Sequence, residues 1–316
     1  MTYDRSDQVA VSSEQHPDIG RRVATVILHY GRVPDTLTAV RSILNGSLPS
    51  TVVVVDNAGD AEELKDNLTD VPESAVEVTP APTNLGFAVG VNLGIERAQK
   101  QTVDYIFLLN NDAFVERRTL EELIDAAEAE PDAGILSPVV YFAADRSRVW
   151  SAGMVRARIT GFFRNVPPPW LGAKTSGILA VDAVAGCAML LTSRLVETIG
   201  AFDDRLFMYY EDVDYCTRAR AAGFRILTVT GARAYHKVDP VVGDGRGDLA
   251  RLSRRARGKA TYYTLHGCQR GAQAALLRLG IGVVAFGVRC LFARDGRAFR
   301  VYLAATCTGR RDARRA

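Results

Sequence analysis

Three short apolar runs, at residues 23–28, 51–55 and 105–109, constrain the fold of this chain more than any other feature. None of them alternates apolar with polar residues, and the first two are rich in β-branched side chains. Each therefore reads as a strand buried on both faces, as in a sheet covered by helices on two sides. Helical patterns fill the intervals, at 34–44, at 61–68, and from Asn84-Leu85-Gly86-Phe87-Ala88 to about Lys100, with a further short strand at 76–78. Such alternation predicts an α/β fold, in which ligands bind beyond the carboxyl ends of the strands. Asp56 and Asn57 follow the second run, and Asn110, Asn111 and Asp112 follow the last, so these residues should face one crevice. From 131 to 230 the pattern is irregular, with strands expected at 134–142, 177–182 and 188–192. The sheet is expected to be mixed there.

With 316 residues, 47% of them hydrophobic, the chain can bury a large core as one extended domain or two small ones. Its net charge of +3 hides an asymmetry, because from Arg246 onward basic residues outnumber acidic ones sixteen to three. A basic, partly apolar region could meet an anionic membrane face, a nucleic acid or an anionic substrate. The interleaved aromatics of an RNA-binding sheet are absent, which removes nucleic acid as a partner. The apolar stretch at 276–293 is interrupted by Arg278 and Arg289, too short a run to span a bilayer. It suits an interfacial helix with peripheral membrane contact, or a helix that packs in a homodimer. The five cysteines show no CxxC spacing, and residues 1–20 are polar and read as a flexible leader rather than a signal peptide. Reduced thiols in a cytoplasmic protein are the expectation.

No phosphate-binding P-loop pattern occurs, and Gly86, Gly90 and Gly94 lack the dinucleotide-binding spacing after the first strand. Those glycines serve either close packing of a helix on the sheet or a role beside a nucleotide. The densest polar cluster is Glu211-Asp212-Val213-Asp214. A helix is expected to start there, because Val213, Cys216 and Ala219 recur at three-residue spacing and Gly223 follows Arg218 and Arg220 as a stop signal. Carboxylates at a helix start either cap it or act chemically. Their pairing with the second cluster around Asp112 suggests a reaction centre.

In order along the chain, six motifs resemble the inverting family-2 glycosyltransferases with a GT-A fold, nearest to a rhamnosyltransferase-like branch. They are Val26-Ile27-Leu28-His29-Tyr30, Val53-Val54-Val55-Asp56-Asn57-Ala58, Asn84-Leu85-Gly86-Phe87-Ala88, Leu108-Leu109-Asn110-Asn111-Asp112-Ala113, Gly200-Ala201-Phe202-Asp203 and Tyr210-Glu211-Asp212-Val213-Asp214. The resemblance covers residues 22–237. It implies a Rossmann-like nucleotide-binding half with a mixed central sheet at 21–238, followed by a mainly helical, basic C-terminal region at 239–316.

The resemblance also implies roles. His29, Tyr30, Asp56, Asn57, Asn84, Gly86, Phe87, Asn92, Asn110 and Asn111 would bind the nucleotide sugar, with Asp56 accepting the N3–H of uracil or thymine. Asp112 and His236 would hold Mg2+ or Mn2+ against the donor diphosphate. Asn110 stands at the first, normally acidic, position of the family's Asp-x-Asp pattern. Asp212 would be the base, ionised by the helix start, and Asp214 structural. Glu211, Trp150 and Asp182 would face the acceptor, a glycan or glycoside. The loop Pro167-Pro168-Pro169-Trp170 is a stiff connection that either moves over the site or simply joins two elements, and Cys187 is a small packing residue. Two other classes remain: a non-catalytic sugar-nucleotide-binding or membrane-associated scaffold, suggested by Asn110 and the basic tail, and a nucleotidyltransferase, for which His29-Tyr30-Gly31-Arg32 supplies too little of a phosphate loop.

Overall fold

The computed structural model of the protein describes residues 22–157, 161–166, 177–238, 248–267 and 272–314. The expected leader, the Pro167-Pro168-Pro169-Trp170 loop and Cys268 lie outside the described residues.

The apolar runs form strands buried on both faces. β1 (Val23–His29) is buried throughout, and β2 (Thr51–Asp56) after its first residue. Successive side chains point to opposite faces of a sheet. Ile27, Val52 and Val54 enter one core, while Val26, Val53 and Val55 enter the other. Each such side chain contributes about 1.5–3 kcal/mol of burial, so a continuous apolar run is what this position in the fold demands.

α1 (Val33–Leu44) and α2 (Ala61–Asp66) place Val40, Ile43 and Leu64 in the first core. α2 stops two residues short of its expected end at 68. After β3 (Val76–Pro80), α3 (Gly86–Gln99) covers the opposite face with Ala88, Val91 and Ile95. A Cβ on Gly90 would stand 2.5 Å from Leu28, and one on Gly94 2.2 Å from Val26. These two glycines therefore let α3 lie directly on β1. Next come β4 (Tyr105–Asn110), β5 (Ala113–Val115), α4 (Thr119–Ala129), β6 (Ala133–Phe142), β7 (Asp145–Ser151) and the ribbon of β8 (Met154–Arg156) with β9 (Phe163–Asn165). The chain continues through β10 (Ile178–Val181), β11 (Ala188–Thr192), α5 (Ser193–Ile199), α6 (Glu211–Ala221) and β12 (Arg225–His236).

The sheet runs β10-β12-β6-β11-β4-β1-β2-β3, with β5 on β12 and β7 on β6. β1 to β4 are mutually parallel, and β11 is antiparallel to β4 and β6. β12 runs parallel to β6, so the mixed sheet expected of the second half is present. β12 is the longest strand and had no counterpart in the sequence pattern. Its pairing with β6 shifts register between Val229 and Arg233, around Gly231, which resets the alternation midway.

The C-terminal region forms α7 (Leu249–Gly267), α8 (Ala272–Phe292) and α9 (Gly296–Asp312), which share a core of Leu252, Ala256, Phe286, Cys290 and Tyr302. α7 also packs on the sheet-bearing half through Tyr262 and Tyr263 against Leu206 and Val213. Cys187, Cys216 and Cys290 are buried thiols, and Cys307 is exposed. Among the described residues no helix is long and apolar enough to cross a membrane.

Candidate active site

Because β1, β2, β4 and β12 point the same way, their last residues His29, Asp56, Asn110 and His236 gather along one edge of the sheet. His29 is fully buried, with Nδ1 2.6 Å from the Thr36 hydroxyl and Nε2 3.0 Å from the Asp60 carboxylate. Both ring nitrogens are thus engaged within the protein, and the ring supports the crevice from beneath. Asp56 Oδ1 accepts the N–H groups of Ala58 and Gly59 at 3.0 and 2.9 Å. Burial pushes this carboxyl up, but the N–H groups of Ala58, Asp60 and Gly59, with His29, outweigh it and hold the pKa below its ordinary value. An ionised carboxylate is acceptor-only.

Asn57 clamps the next turn. Its side chain accepts the Leu85 N–H at 2.7 Å and donates to the Asn84 side chain and the Gly86 carbonyl at 3.1 and 3.2 Å. Asn84 caps the Gly86 N–H at 2.9 Å, and the Phe87 N–H donates to the Phe207 carbonyl at 2.7 Å. Gly86 has φ +77, and a Cβ there would stand 2.5 Å from the Phe207 ring. The turn therefore locks against the segment that leads into the acidic helix. Asn111 donates to the Tyr30 carbonyl and the Thr36 hydroxyl, at 3.2 and 3.1 Å, while the Tyr30 ring is exposed. Asn110, at the end of β4, donates its backbone N–H to the Cys187 carbonyl at 2.9 Å.

Asp112 and His236 lie 124 residues apart in sequence, yet Oδ1 and Nε2 are 3.0 Å apart. β5, pairing with the end of β12, brings them together, with His236 opposite Ala113. An oxygen and a nitrogen at this separation match adjacent ligands of a cation about 2.1 Å from each. His236 Nδ1 is buried beside Cys187 without a well-formed hydrogen bond, and the Trp150 indole meets the ring edge-on at 4.9 Å. Burial disfavours the imidazolium, but Cys187 and the bond to Asp112 outweigh it and hold the ring's pKa up. Among the described residues no three His, Cys, Asp or Glu side chains cluster as a metal site. A cation on this pair would need further oxygen ligands from outside the protein, as phosphates provide. The donor set fits Mg2+ or Mn2+ on those terms.

The opposite wall is the start of α6. Tyr209 and Tyr210 both adopt the left-handed region, with φ +69 and +72. Such residues cost about 1–2 kcal/mol each and persist only where the surroundings enforce them. Here the Tyr210 ring packs against Tyr262 and Tyr263 of α7, with centroids 5.6 and 6.2 Å away. Gly258 of α7 sits under the Tyr209 carbonyl, where a Cβ would come within 2.2 Å of the oxygen. The C-terminal helices thus brace the turn that presents Glu211 and Asp212.

Asp212 Oδ2 accepts the Gly186 N–H at 3.1 Å, and Oδ1 accepts the Val213 N–H at 2.8 Å. A Cβ on Gly186 would stand 3.3 Å from the Asp212 Cβ and 3.6 Å from the Phe87 ring, so these three residues converge. Contrary to the expectation from the helix start, the Asp212 pKa is raised, because burial outweighs the N–H groups of Gly186 and Val213. Glu211 is raised further, by burial and then by the charges of Asp212 and Asp214, and its Oε2 is buried without a partner. Of the two adjacent carboxyls, Asp212 is the one cradled by two N–H groups, and Glu211 the one with an oxygen left unpartnered. Asp214 is engaged elsewhere, bonding Arg218 at 2.9 Å and His266 of α7 at 2.7 Å.

Two residues expected at the site stand apart from it. Asn92 clamps the backbone of Phe202 with both ends of its amide, at 2.8 and 2.9 Å, tying α3 to the Gly200-Ala201-Phe202-Asp203 motif. Asp182 pairs with Arg220 at 2.5 Å and accepts the Arg156 N–H at 2.6 Å. Arg220 is eight residues beyond Asp212, about 12 Å along the helix. Sequence reasoning passed over Phe207 and Gly258, and gave Gly186 and the tyrosine pair no role of their own. Only the paired tyrosines beside the acidic cluster carried a visible signal.

The same architecture occurs in solved glycosyltransferases. GalNAc-T7, solved with UDP, GalNAc and Mn2+, matches with a TM-score of 0.60 at 14% identity over 79% of this chain, which spans 51% of that structure. A mannosyltransferase of Pyrobaculum calidifontis, solved with GDP-Man and Mn2+, matches with a TM-score of 0.57 at 18% identity, over 94% of this chain and 87% of its own. These likenesses define the fold class, the GT-A fold. The model of glycosyl transferase family 2 matches residues 25–195, more than half the chain, and the protein belongs to that family. It is a glycosyltransferase that uses a nucleotide-sugar donor. An N-acetylglucosaminyl-diphospho-decaprenol L-rhamnosyltransferase of Mycobacterium tuberculosis is 28% identical over 259 residues, 73% of this chain and 79% of its own length. A low-salt glycan biosynthesis hexosyltransferase of Haloferax volcanii is 26% identical over 176 residues, 55% of this chain and 54% of its own.

Proposed function

We propose that the protein is an inverting rhamnosyltransferase. It takes the sugar from a dTDP- or UDP-activated donor, dTDP-rhamnose foremost, and passes it to a hydroxyl of a glycan, lipid-linked or small-molecule glycoside acceptor. The single observation that carries the inverting reading is one carboxyl group, Asp212, held by the Gly186 and Val213 N–H groups at the start of α6. Inversion in a single displacement needs one base near the acceptor and no covalent intermediate. The M. tuberculosis relative supports the sugar.

In this reading the acceptor oxygen bonds to the anomeric carbon as that carbon's bond to the diphosphate oxygen breaks. The hydroxyl proton passes to Asp212, and the nucleoside diphosphate leaves with the electron pair. The raised pKa of Asp212 makes it a stronger base than an exposed aspartate. Glu211, whose pKa burial and the charges of Asp212 and Asp214 push up, can in its protonated form donate a hydrogen bond to the acceptor. Asp56 accepts the N3–H of the base, with Asn57, Asn84, Gly86 and Phe87 shaping the turn beside it. Asn110 and Asn111, at and just beyond the end of β4, would contact the donor. Asp112 and His236 would hold Mg2+ or Mn2+, which supplies neutralising charge to the departing diphosphate. Trp150 holds the His236 ring edge-on and so orients the pair. The buried, reduced thiols support a cytoplasmic location.

A panel of dTDP-, UDP- and GDP-sugars, assayed for turnover with Mg2+ or Mn2+ and with a chelator, tests this reading. The expected result is chelator-sensitive turnover of dTDP-rhamnose above all others. Turnover confined to another donor would overturn the rhamnosyl assignment, and full turnover in chelator would overturn the role of Asp112 and His236.

A further inference from the structure

α8 carries two apolar faces. Leu279, Phe286 and Cys290 are buried, on the side that packs within the C-terminal helices. On the other side Leu277, Ile281, Val284, Val288, Leu291 and Phe292 are exposed, by 45–86%. At about 100° per residue these six side chains fall within about 100° of arc, one continuous stripe along the helix. Exposed Arg289 lies on one flank of that stripe and exposed Arg294, Arg297 and Arg300 follow at its end, while half-buried Arg278 turns its guanidinium toward Gly161. Between 272 and 314 eight arginines face only two acidic residues, Asp295 and Asp312. Asp295 caps α9 and Asp312 pairs with Arg257. Monomeric soluble proteins rarely leave a stripe of this kind uncovered.

We propose that this face of α8 docks the protein on an anionic lipid surface, with the six apolar side chains entering the headgroup boundary and the arginines meeting lipid phosphates. Charge selects this occupant. A second copy would bring the same arginine-rich face against itself, so like charges would adjoin, whereas an anionic bilayer neutralises them. The helix is too short in apolar run to cross, and its arginine-flanked stripe is the pattern of a helix that lies in the interface plane. α8 packs on α7, and α7 braces the catalytic turn through Gly258 and Tyr210. Docking would therefore keep the candidate site at the membrane, which deepens the sugar-transfer reading, on which this inference rests, toward acceptors carried on lipid. Vesicle binding is measured with no donor present, so its failure and the failure of that reading are distinct.

The test is flotation of the full chain with vesicles of phosphatidylcholine alone, or of phosphatidylcholine with phosphatidylglycerol, at low and high salt. At low salt the protein is expected to bind the anionic vesicles at least about tenfold better than the neutral ones. Val284→Glu with Phe292→Glu is expected to cut that binding at least about tenfold while dTDP binding and the circular dichroism spectrum stay unchanged. A Val284→Trp variant should blue-shift its fluorescence on the anionic vesicles alone. Failure of the natural chain to float with anionic vesicles overturns the proposal, as does undiminished binding by the double variant or an unshifted Val284→Trp spectrum. A stable dimer that the double variant turns into monomers, with no vesicle binding, would assign the face to a second copy instead.

Discussion

Replacing Gly258 by alanine tests whether the C-terminal helices brace the catalytic turn. Gly258 lies inside α7, where alanine is normally preferred by about 1 kcal/mol. Its Cβ, however, would stand 2.2 Å from the Tyr209 carbonyl oxygen and 3.1 Å from that of Met208. Ordinary contact would require α7 or the turn to move by about 1 Å, and overpacking of this kind costs about 1–3 kcal/mol. Tyr209 and Tyr210 already occupy the left-handed region, so the turn has little freedom to yield. The expected net result is destabilisation by about 1 kcal/mol in urea unfolding. Because the turn leads straight into Glu211 and Asp212, kcat should fall by about ten- to a hundredfold. Gly280 of α8 is the control, since no atom lies within 4 Å of its added Cβ. Gly280→Ala should stabilise by up to about 1 kcal/mol and leave turnover alone. If Gly258→Ala also stabilised the protein with kcat unchanged, α7 would not be pressed on the turn and the reasoning would fail.

Gly86→Ala combines the left-handed penalty at φ +77 with a Cβ 2.5 Å from the Phe207 ring, and should cost about 2–4 kcal/mol in urea unfolding. A loss below about 1 kcal/mol would mean the turn is not locked against Phe207. Asp214→Asn keeps the shape but leaves Arg218 and His266 without their carboxylate, and should cost about 3 kcal/mol by the same measurement. An unchanged midpoint would remove that network as a tie between α6 and α7. Glu211 has a folded pKa raised well above its ordinary 4.5, so its stabilisation is complete below that value and is lost as pH rises through the folded one. Glu211→Gln, a mimic of the neutral acid, should gain stability relative to the natural chain across that rise. Parallel stability profiles from about pH 4 upward would show that Glu211 is not held neutral.

The legible parts of the fold were those where one physical demand acted over several residues. β1 and β2 had to be continuous apolar runs because helices cover both faces, and α6 showed itself through Val213, Cys216 and Ala219, all buried. β12 was hidden because the register shift around Gly231 breaks the alternation that marks a strand. No local spacing brings Asp112 to His236. Their meeting depends on β5 pairing with β12, and only resemblance to a family pointed to it. Asn92 lies within a motif-bearing helix, but its amide holds the Phe202 backbone, and Asp182 is occupied by Arg220 at the far end of α6. Gly186 supplies only a backbone N–H and the absence of a Cβ, so nothing in its side chain could flag it. The direction of the Asp212 pKa shift is hidden from the sequence for a related reason. The helix start was visible in the sequence, while the burial that outweighs it depends on the packing of several distant segments.

The assignment of Asp212 as the base is tested most directly by Asp212→Asn, with single-turnover transfer from dTDP-rhamnose measured beside calorimetric dTDP binding. Asparagine keeps the volume and an oxygen for the Gly186 N–H, but it cannot take up the acceptor proton. Nucleotide binding should stay within about twofold of the natural chain, while transfer falls by about 10²–10⁴-fold. Transfer by Asp212→Asn at the undiminished rate would contradict the assignment.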